Sequence, residues 1–118
     1  MDEIRDALEK GGIVDITTIG RRTGEERKIE TRLHVIDGKF YLTGQPGPRS
    51  WYANLIANPD FKIHLKSDIR ATVDAKASAV VDPEVRKYIH QIVLSRIDRL
   101  EQLQDRIDAS PLMLVVLS

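Results

Sequence analysis

A glycine-bracketed turn near the start of the chain carries residue types that bind anions. Residues 17–28 read TTIGRRTGEERK and lie between two segments rich in β-branched residues. The glycines permit a tight backbone, and guanidinium groups and hydroxyls hold phosphates or carboxylates through charge-assisted hydrogen bonds. The candidate residues are Arg21, Arg22, Thr23 and Arg27. The turn is therefore a candidate anion site, and the alternative is a solvated hairpin turn.

A second candidate site begins in the loop GQPGPR, residues 44–49. Ser50 is a suitable N-cap for a short helix over residues 51–57, and Asn58-Pro59 ends that helix because a residue before proline leaves the α region. Arg49 beside a helix N-terminus makes a second arrangement that suits an anion. Trp51 has two roles open to it, since a lone tryptophan can anchor a small core or form the wall of a site for a planar ligand.

With these two motifs the chain resembles the deazaflavin-dependent nitroreductase family. Members of that family carry a TT-x-GR-[RK]-[ST]-G-x-x-R turn and a WYxNLxANP helix. This chain has TTIGRRTGEER and WYANLIANP at the corresponding places. The resemblance runs from about Asp15 to Val81 and extends loosely to the C-terminal strand.

The resemblance implies a split β-barrel of the FMN-binding type that binds coenzyme F420, a 5-deazaflavin, while some relatives of the same barrel class use FMN. By position, the residues on the basic turn would hold the phosphate and the oligoglutamate tail. Those on the loop and helix would flank the ring and the ribityl chain. The first set is Arg21, Arg22, Thr23 and Arg27, and the second is Arg49, Ser50, Trp51 and Asn54.

Hydrophobic periodicity predicts a mainly β chain with helices. Strands are predicted over residues 13–19, 27–36, 39–43, 61–66 and 70–81, with a two-residue hairpin turn at Asp37-Gly38. A short helix follows the third strand. Asp82-Pro83 begins one long helix that runs to about Ile107, and its charged face, which includes Arg106, is expected to be solvated. The last strand, residues 112–117, is apolar on both faces and is expected to be buried.

Length and composition exclude several classes of protein. The 118 residues fit one domain over residues 1–118, and 18 basic and 18 acidic residues give zero formal net charge, which argues against nucleic-acid binding. There is no cysteine, and the three histidines lack metal-ligand spacing, so no metal site is predicted. The longest apolar run, residues 112–117, is shorter than the ~20 residues of a membrane helix. We expect a cytoplasmic protein without stable membrane insertion, and the small size favours a homodimer.

The resemblance implies an oxidoreductase that passes a hydride from reduced deazaflavin to a small electron-poor acceptor such as a quinone, an enone or a nitro compound. In such an enzyme the cofactor carries the chemistry and the protein supplies orientation and electrostatic support, so no single catalytic residue is predicted. Two alternatives stay open, an FMN-dependent oxidoreductase on the same barrel and a carrier that binds a flavin or deazaflavin without turnover.

Overall fold

The computed structural model describes residues 2–118 as a closed six-stranded antiparallel barrel with four α-helices. The strands follow one another around the barrel in the order β1-β2-β3-β6-β5-β4, and β4 pairs with β1 to close it. In chain order the elements are α1 Asp2–Lys10, β1 Gly12–Ile19, β2 Glu26–Ile36, β3 Lys39–Thr43, α2 Ser50–Ala57, β4 Asp60–Leu65, β5 Ala71–Ala79, α3 Pro83–Arg96, α4 Leu103–Ala109 and β6 Leu112–Leu117. The predicted split β-barrel and the short helix after its third strand are confirmed.

Two hairpins set the register of the first three strands. Ile36 pairs with Lys39 across the Asp37-Gly38 turn, where both turn residues have positive φ (53° and 75°), as a two-residue hairpin requires. Ile19 pairs with Glu26, so residues 20–25 form the turn between β1 and β2. The β1–β2 hairpin places the basic turn at one end of the barrel.

The barrel interior is filled by alternate residues of the strands, because successive side chains of a strand point to opposite faces. Small residues of β5, Ala75 and Ala77, are buried at 1% and 5% exposure and allow close packing there. Helix α2 lies against β1 and β5 and adds Trp51 and Leu55 to the same core. The buried strand residues of this core are Val14, Ile16, Leu33, Phe40, Leu42, Phe61, Ile63, Leu65, Ala75, Ala77, Met113 and Val115.

Helix α3 covers part of the outer face of the barrel and creates a second core. The buried residues of this second core are Ile36, Tyr41, Ile89, Val93 and Leu112. The expectation that β6 is buried on both faces holds at its start but is wrong at Val116, which is 58% exposed. The second core reaches Leu112 and Leu114 on the outer face of β6, and Val116 lies beyond it.

The predicted single long helix before the last strand is wrong, because the chain turns after Arg96. Helix α3 begins as predicted, with the Asp82 carboxylate accepting hydrogen bonds from the backbone N–H groups of Glu84 and Val85. At its end, Leu94 O accepts from Arg99 N at 3.0 Å and Ser95 O from Asp98 N at 3.4 Å, while Asp98 has φ +57°. This is a Schellman motif in which aspartate occupies the left-handed position that glycine usually takes.

After the motif a short 3-10 turn, Leu100–Gln102, leads into α4. Ser110 then takes the C-cap position of α4, and Pro111 follows it, so the helical segment ends at Ala109, two residues beyond the predicted Ile107. None of the helices within residues 2–118 combines the length and the apolar character needed to cross a bilayer.

Candidate functional site

The basic turn between β1 and β2 is held tightly by its own backbone. Gly20 N donates to Glu25 O at 2.7 Å and Gly24 N donates to Gly20 O at 2.9 Å. A Cβ on Gly20 would lie 3.0 Å from Thr23 Oγ1, and Gly24 has φ +73°, so both positions favour glycine. Thr23 Oγ1 also accepts a hydrogen bond from Glu25 N at 3.2 Å. The compact backbone leaves the side chains of Arg21 and Arg22 exposed to solvent.

Asn54 of α2 ties the helix to this turn. Its side chain is 4% exposed, and its Oδ1 accepts from Arg21 N at 3.1 Å and from Arg21 Nη1 at 3.4 Å. Its Nδ2 donates to Thr18 Oγ1 at 3.3 Å. One buried amide therefore orients the Arg21 guanidinium and fixes the distance between the two sequence motifs.

The turn and α2 enclose a cavity of about 330 Å³. Seven of the eight predicted site residues line it, with Arg49 as the exception. Thr18, Gly20 and Ile29 complete the lining, so the wall combines cationic, hydroxyl and apolar groups. We call this the turn cavity. The predicted site residues that line it are Arg21, Arg22, Thr23, Arg27, Ser50, Trp51 and Asn54.

The charge around the turn cavity is positive. Three guanidinium groups line it, and within the described chain its lining includes no carboxylate. Arg27 Nη1 lies 3.0 Å from Glu25 Oε2, but the two side chains are 51% and 67% exposed, so water screens this pair and it contributes little to stability. Arg27 can therefore exchange Glu25 for an anionic ligand at small cost.

The N-terminus of α2 differs from the prediction by one residue. Arg49, not Ser50, occupies the N-cap position, with extended backbone angles and no side-chain cap. Ser50 is the first helical residue because Arg49 O already accepts the first helical hydrogen bond, from Ala53 N. Since no side chain caps the helix, its first N–H groups stay available to an anion.

Trp51 is part of the barrel core and also borders the turn cavity. It is 9% exposed and belongs to the barrel core, where its ring makes an edge-to-face contact with Tyr52 at 6.1 Å between centroids. It also lines the turn cavity. Contact of Trp51 with a ligand is untested and stays a prediction.

Arg49 lies in a different cavity, on the other side of α2. This loop cavity has a volume of about 600 Å³ and is lined by the 47–49 loop, Tyr52, residues 80–81, Arg86 and residues 108–111. Arg49 Nη1 donates to Pro48 O at 2.8 Å. The side chain of Arg49 is therefore not part of the same group as Arg21, Arg22 and Arg27.

The sequence analysis missed two lining residues of the turn cavity and placed Arg106 wrongly. Thr18 and Ile29 belong to the turn cavity because they point inward on β1 and β2, which the alternation of those strands could have indicated. The expectation that Arg106 faces solvent is wrong, since the residue is 4% exposed. The turn at Asp98 redirects α4 so that Arg106 faces the loop before α2, where Nη1 donates to Gly44 O at 3.1 Å.

Two histidines lie in an environment that opposes their charge. Burial lowers the pKa of His90 to about 4, with Arg86 and Arg106 adding to the effect. Burial likewise lowers the pKa of His34 to about 4, helped by Arg32 and Arg96. Within residues 2–118 no group of three His, Cys, Asp or Glu side chains is placed to hold a metal ion.

Comparison with known families gives a match over nearly the whole chain. The sequence model of the F420H2-dependent quinone reductase family matches residues 3–118. No curated protein matches the chain.

Solved structures share the barrel at low sequence identity. The F420-H2 dependent reductase FDR-A is 24% identical with a TM-score of 0.65, covering 88% of this chain and 93% of that one. A conserved hypothetical protein of Mycobacterium tuberculosis is 19% identical with a TM-score of 0.77, covering 98% and 79%. An FAD-binding protein of Mesorhizobium loti is 14% identical with a TM-score of 0.70, covering 98% and 88%. These likenesses support the fold.

Proposed function

We propose that this chain, which belongs to the F420H2-dependent quinone reductase family and is an F420-dependent oxidoreductase, reduces a quinone at the turn cavity. The observation that carries the proposal is the convergence of three arginines, three hydroxyl groups and a tryptophan on one cavity. Its volume of about 330 Å³ lies within the range of small-molecule sites, about 300–1,000 Å³.

The donor set of the turn cavity fits a phosphorylated cofactor with carboxylates. Guanidinium groups bind phosphate and carboxylate oxygens in pairs, and an uncapped helix N-terminus adds N–H donors. We assign the phosphate and the oligoglutamate tail to Arg21, Arg22, Thr23 and Arg27. Ser50, Trp51 and Asn54 would flank the ring and the ribityl chain.

When bound, reduced F420 supplies a hydride to the acceptor. Asn54 contributes by holding Arg21 in place before any ligand arrives, which lowers the ordering cost of binding. Trp51 contributes an apolar wall that excludes water from this part of the cavity. Because the lining of the turn cavity, within the described chain, includes no Asp, Glu or His, we propose that solvent supplies the proton that completes the hydroquinone.

A titration separates F420 from FMN. Each cofactor is added to the purified protein while the fluorescence of Trp51, the chain's single tryptophan, is followed. We expect saturable quenching with F420 at concentrations where FMN gives none. Tight binding of FMN without a saturable F420 signal would contradict the proposal and favour the alternative, an FMN-dependent oxidoreductase on the same barrel.

Turnover separates an enzyme from a carrier and identifies the acceptor class. The protein and reduced F420 are mixed with menadione as the quinone, 2-cyclohexen-1-one as the enone and nitrobenzene as the nitro compound, and reoxidation of the cofactor is measured. We expect the fastest reoxidation with menadione. Binding of F420 without reoxidation by any of the three would identify a carrier.

We also propose that the chain forms a homodimer. Apolar side chains more than 40% exposed lie along α3 and the turns on either side of it, and exposed apolar patches often mark interfaces. They are Val81, Val85, Tyr88, Ile97 and Leu100. Sedimentation at high protein concentration tests the proposal, and a strict monomer would contradict it. One domain over residues 1–118 and a cytoplasmic location stay predictions.

A further inference from the structure

Arg106 of α4 is a buried cation that makes no ion pair within the described residues. It is 4% exposed, its Nη2 donates to Gln102 Oε1 at 3.4 Å, and its Nε is buried without a hydrogen-bond partner among residues 2–118. Burial of a charge costs free energy unless the charge is well paired. The partners of its few hydrogen bonds therefore indicate which part of the chain Arg106 holds in place.

The remaining contact of Arg106 reaches the loop that leads into α2. Nη1 donates to Gly44 O at 3.1 Å. One more hydrogen bond ties the same loop to the end of α4, from Gly47 N to Ala109 O at 3.0 Å. Just before the loop, at the end of β3, Thr43 Oγ1 donates to Pro111 O at 2.6 Å. The loop is therefore held from α4.

The loop leads directly into α2, and the N-terminus of this helix has no side-chain cap of its own. The loop ends at Arg49, and the next residues carry the turn cavity's Ser50, Trp51 and Asn54. A shift of Gly44 would move these side chains together, including the Asn54 amide that orients Arg21.

Arg86 of α3 provides a contrast within the same helix pair. Its guanidinium donates to the carbonyl oxygens of Val80, Arg106, Ile107 and Ser110. It therefore caps the C-terminal end of α4, and none of these carbonyls belongs to residues 44–49. Arg86 and Arg106 are both structural arginines, but only Arg106 bonds to the loop before α2.

We propose that Arg106 is a positioning residue for F420 binding, acting through Gly44 and α2 without touching the cofactor. The proposal rests on the proposed function for the identity of the ligand. It requires that loss of the Arg106 donors disturbs α2 more than loss of the Arg86 donors does.

The test compares Arg106→Met with Arg86→Met, which remove the donors but keep much of the side-chain length. Both variants are studied at a temperature where circular dichroism shows them folded. We expect both to unfold at lower temperature than the wild type. Only Arg106→Met is expected to raise the Kd for F420, by about tenfold, the equivalent of one hydrogen bond to a charged group. Its Trp51 emission without ligand should also shift relative to Arg86→Met.

A Kd for Arg106→Met within twofold of the wild type, or an equal rise in Arg86→Met, would overturn the proposal. If Arg106→Met does not fold, Arg106→Lys and Arg86→Lys replace the pair, and equal Kd values for these two would overturn it in the same way. If the wild type binds no F420, the proposed function fails, while the shift in Trp51 emission without ligand still decides whether Arg106 positions α2.

Discussion

The two sides of α2 use arginine in opposite ways. On the turn side, Arg21, Arg22 and Arg27 are exposed and line a cavity. On the other side, which α3 and α4 form, Arg106 is buried and donates to the Gly44 carbonyl. Arg86 donates to four backbone carbonyls there. An exposed guanidinium binds an anion at little desolvation cost, whereas one already committed to carbonyls holds segments of chain together. The difference separates the side that we propose binds the ligand from a side whose arginines hold segments of the chain together.

The largest expected effect on stability lies in the second core. Ile89→Ala removes a side chain that is 2% exposed, and we expect the free energy of unfolding to fall by about 2–5 kcal/mol. Gln91→Ala on the same helix is the matched control, because Gln91 is exposed and is not one of the residues of the proposed dimer surface, and its effect should stay below about 0.5 kcal/mol. Denaturant unfolding measures both. F420 affinity per folded molecule should be unchanged, and a loss in Ile89→Ala would break the separation between the two sides.

The next largest effect is expected from acid, which should lower the free energy of unfolding through His90 of α3. Burial lowers the pKa of His90 from 6.5 to about 4, so between these values the unfolded chain binds a proton that the folded chain excludes. The free energy of unfolding therefore falls as pH drops from about 6.5 to about 4, by roughly 3 kcal/mol for this group. Denaturant unfolding at stepped pH measures the slope. His90→Leu should reduce the slope of the free energy of unfolding against pH. If His90→Leu keeps the wild-type slope, groups other than His90 cause the acid sensitivity.

On the turn side the expected loss is in affinity. Arg21→Ala with Arg22→Ala should weaken F420 binding by about 1–3 kcal/mol in total, and added salt should weaken wild-type binding. The melting temperature should barely change, since both side chains are exposed. Lys28→Ala is the matched control, because Lys28 is exposed on the same hairpin but lies outside the turn cavity. Equal F420 affinities for the Arg21→Ala/Arg22→Ala protein and for Lys28→Ala would support the alternative that the turn is only a solvated loop.

Trp51 belongs to both the core and the turn cavity, so its substitution tests the boundary between the two sides. Trp51→Phe keeps an aromatic ring, and we expect a stability loss below about 1.5 kcal/mol together with a loss of F420 affinity of about 0.5–1 kcal/mol. Tyr52→Phe is the control, because Tyr52 touches Trp51 but lines the loop cavity. A stability loss with unchanged affinity would make Trp51 a core residue alone.

The smallest effect is expected at Arg49. Because its side chain lines the loop cavity and not the turn cavity, Arg49→Ala should change F420 affinity by less than about 0.5 kcal/mol. Arg21→Ala measured in the same titration is the reference. A tenfold loss in Arg49→Ala would extend the cofactor site around the N-terminus of α2 and remove the distinction between the two cavities.

Predictions from the sequence succeeded where neighbours in the chain decide the structure. The Asp37-Gly38 turn, the Asp82-Pro83 helix start and the alternation in β4 each depend on a few adjacent residues, and all three are confirmed. The long helix failed because Asp98 adopts a left-handed conformation that glycine usually takes. Once that turn is made, Arg106 moves from the expected solvated face to a buried position.

The sequence by itself determined the strands, the basic turn and the short helix after the third strand, because periodicity, glycines and the Asn58-Pro59 helix end act over short distances. The barrel that the strands form was implied by the resemblance of the two motifs to a known family. Tertiary structure alone decided which of the predicted site residues meet. Closure of the barrel brings residues 18–29 against α2, so that Asn54 bonds to Arg21 across 33 positions of the chain. It also directs Arg49 to the opposite side of α2. Such contacts depend on the packing of the whole barrel, which no local pattern specifies.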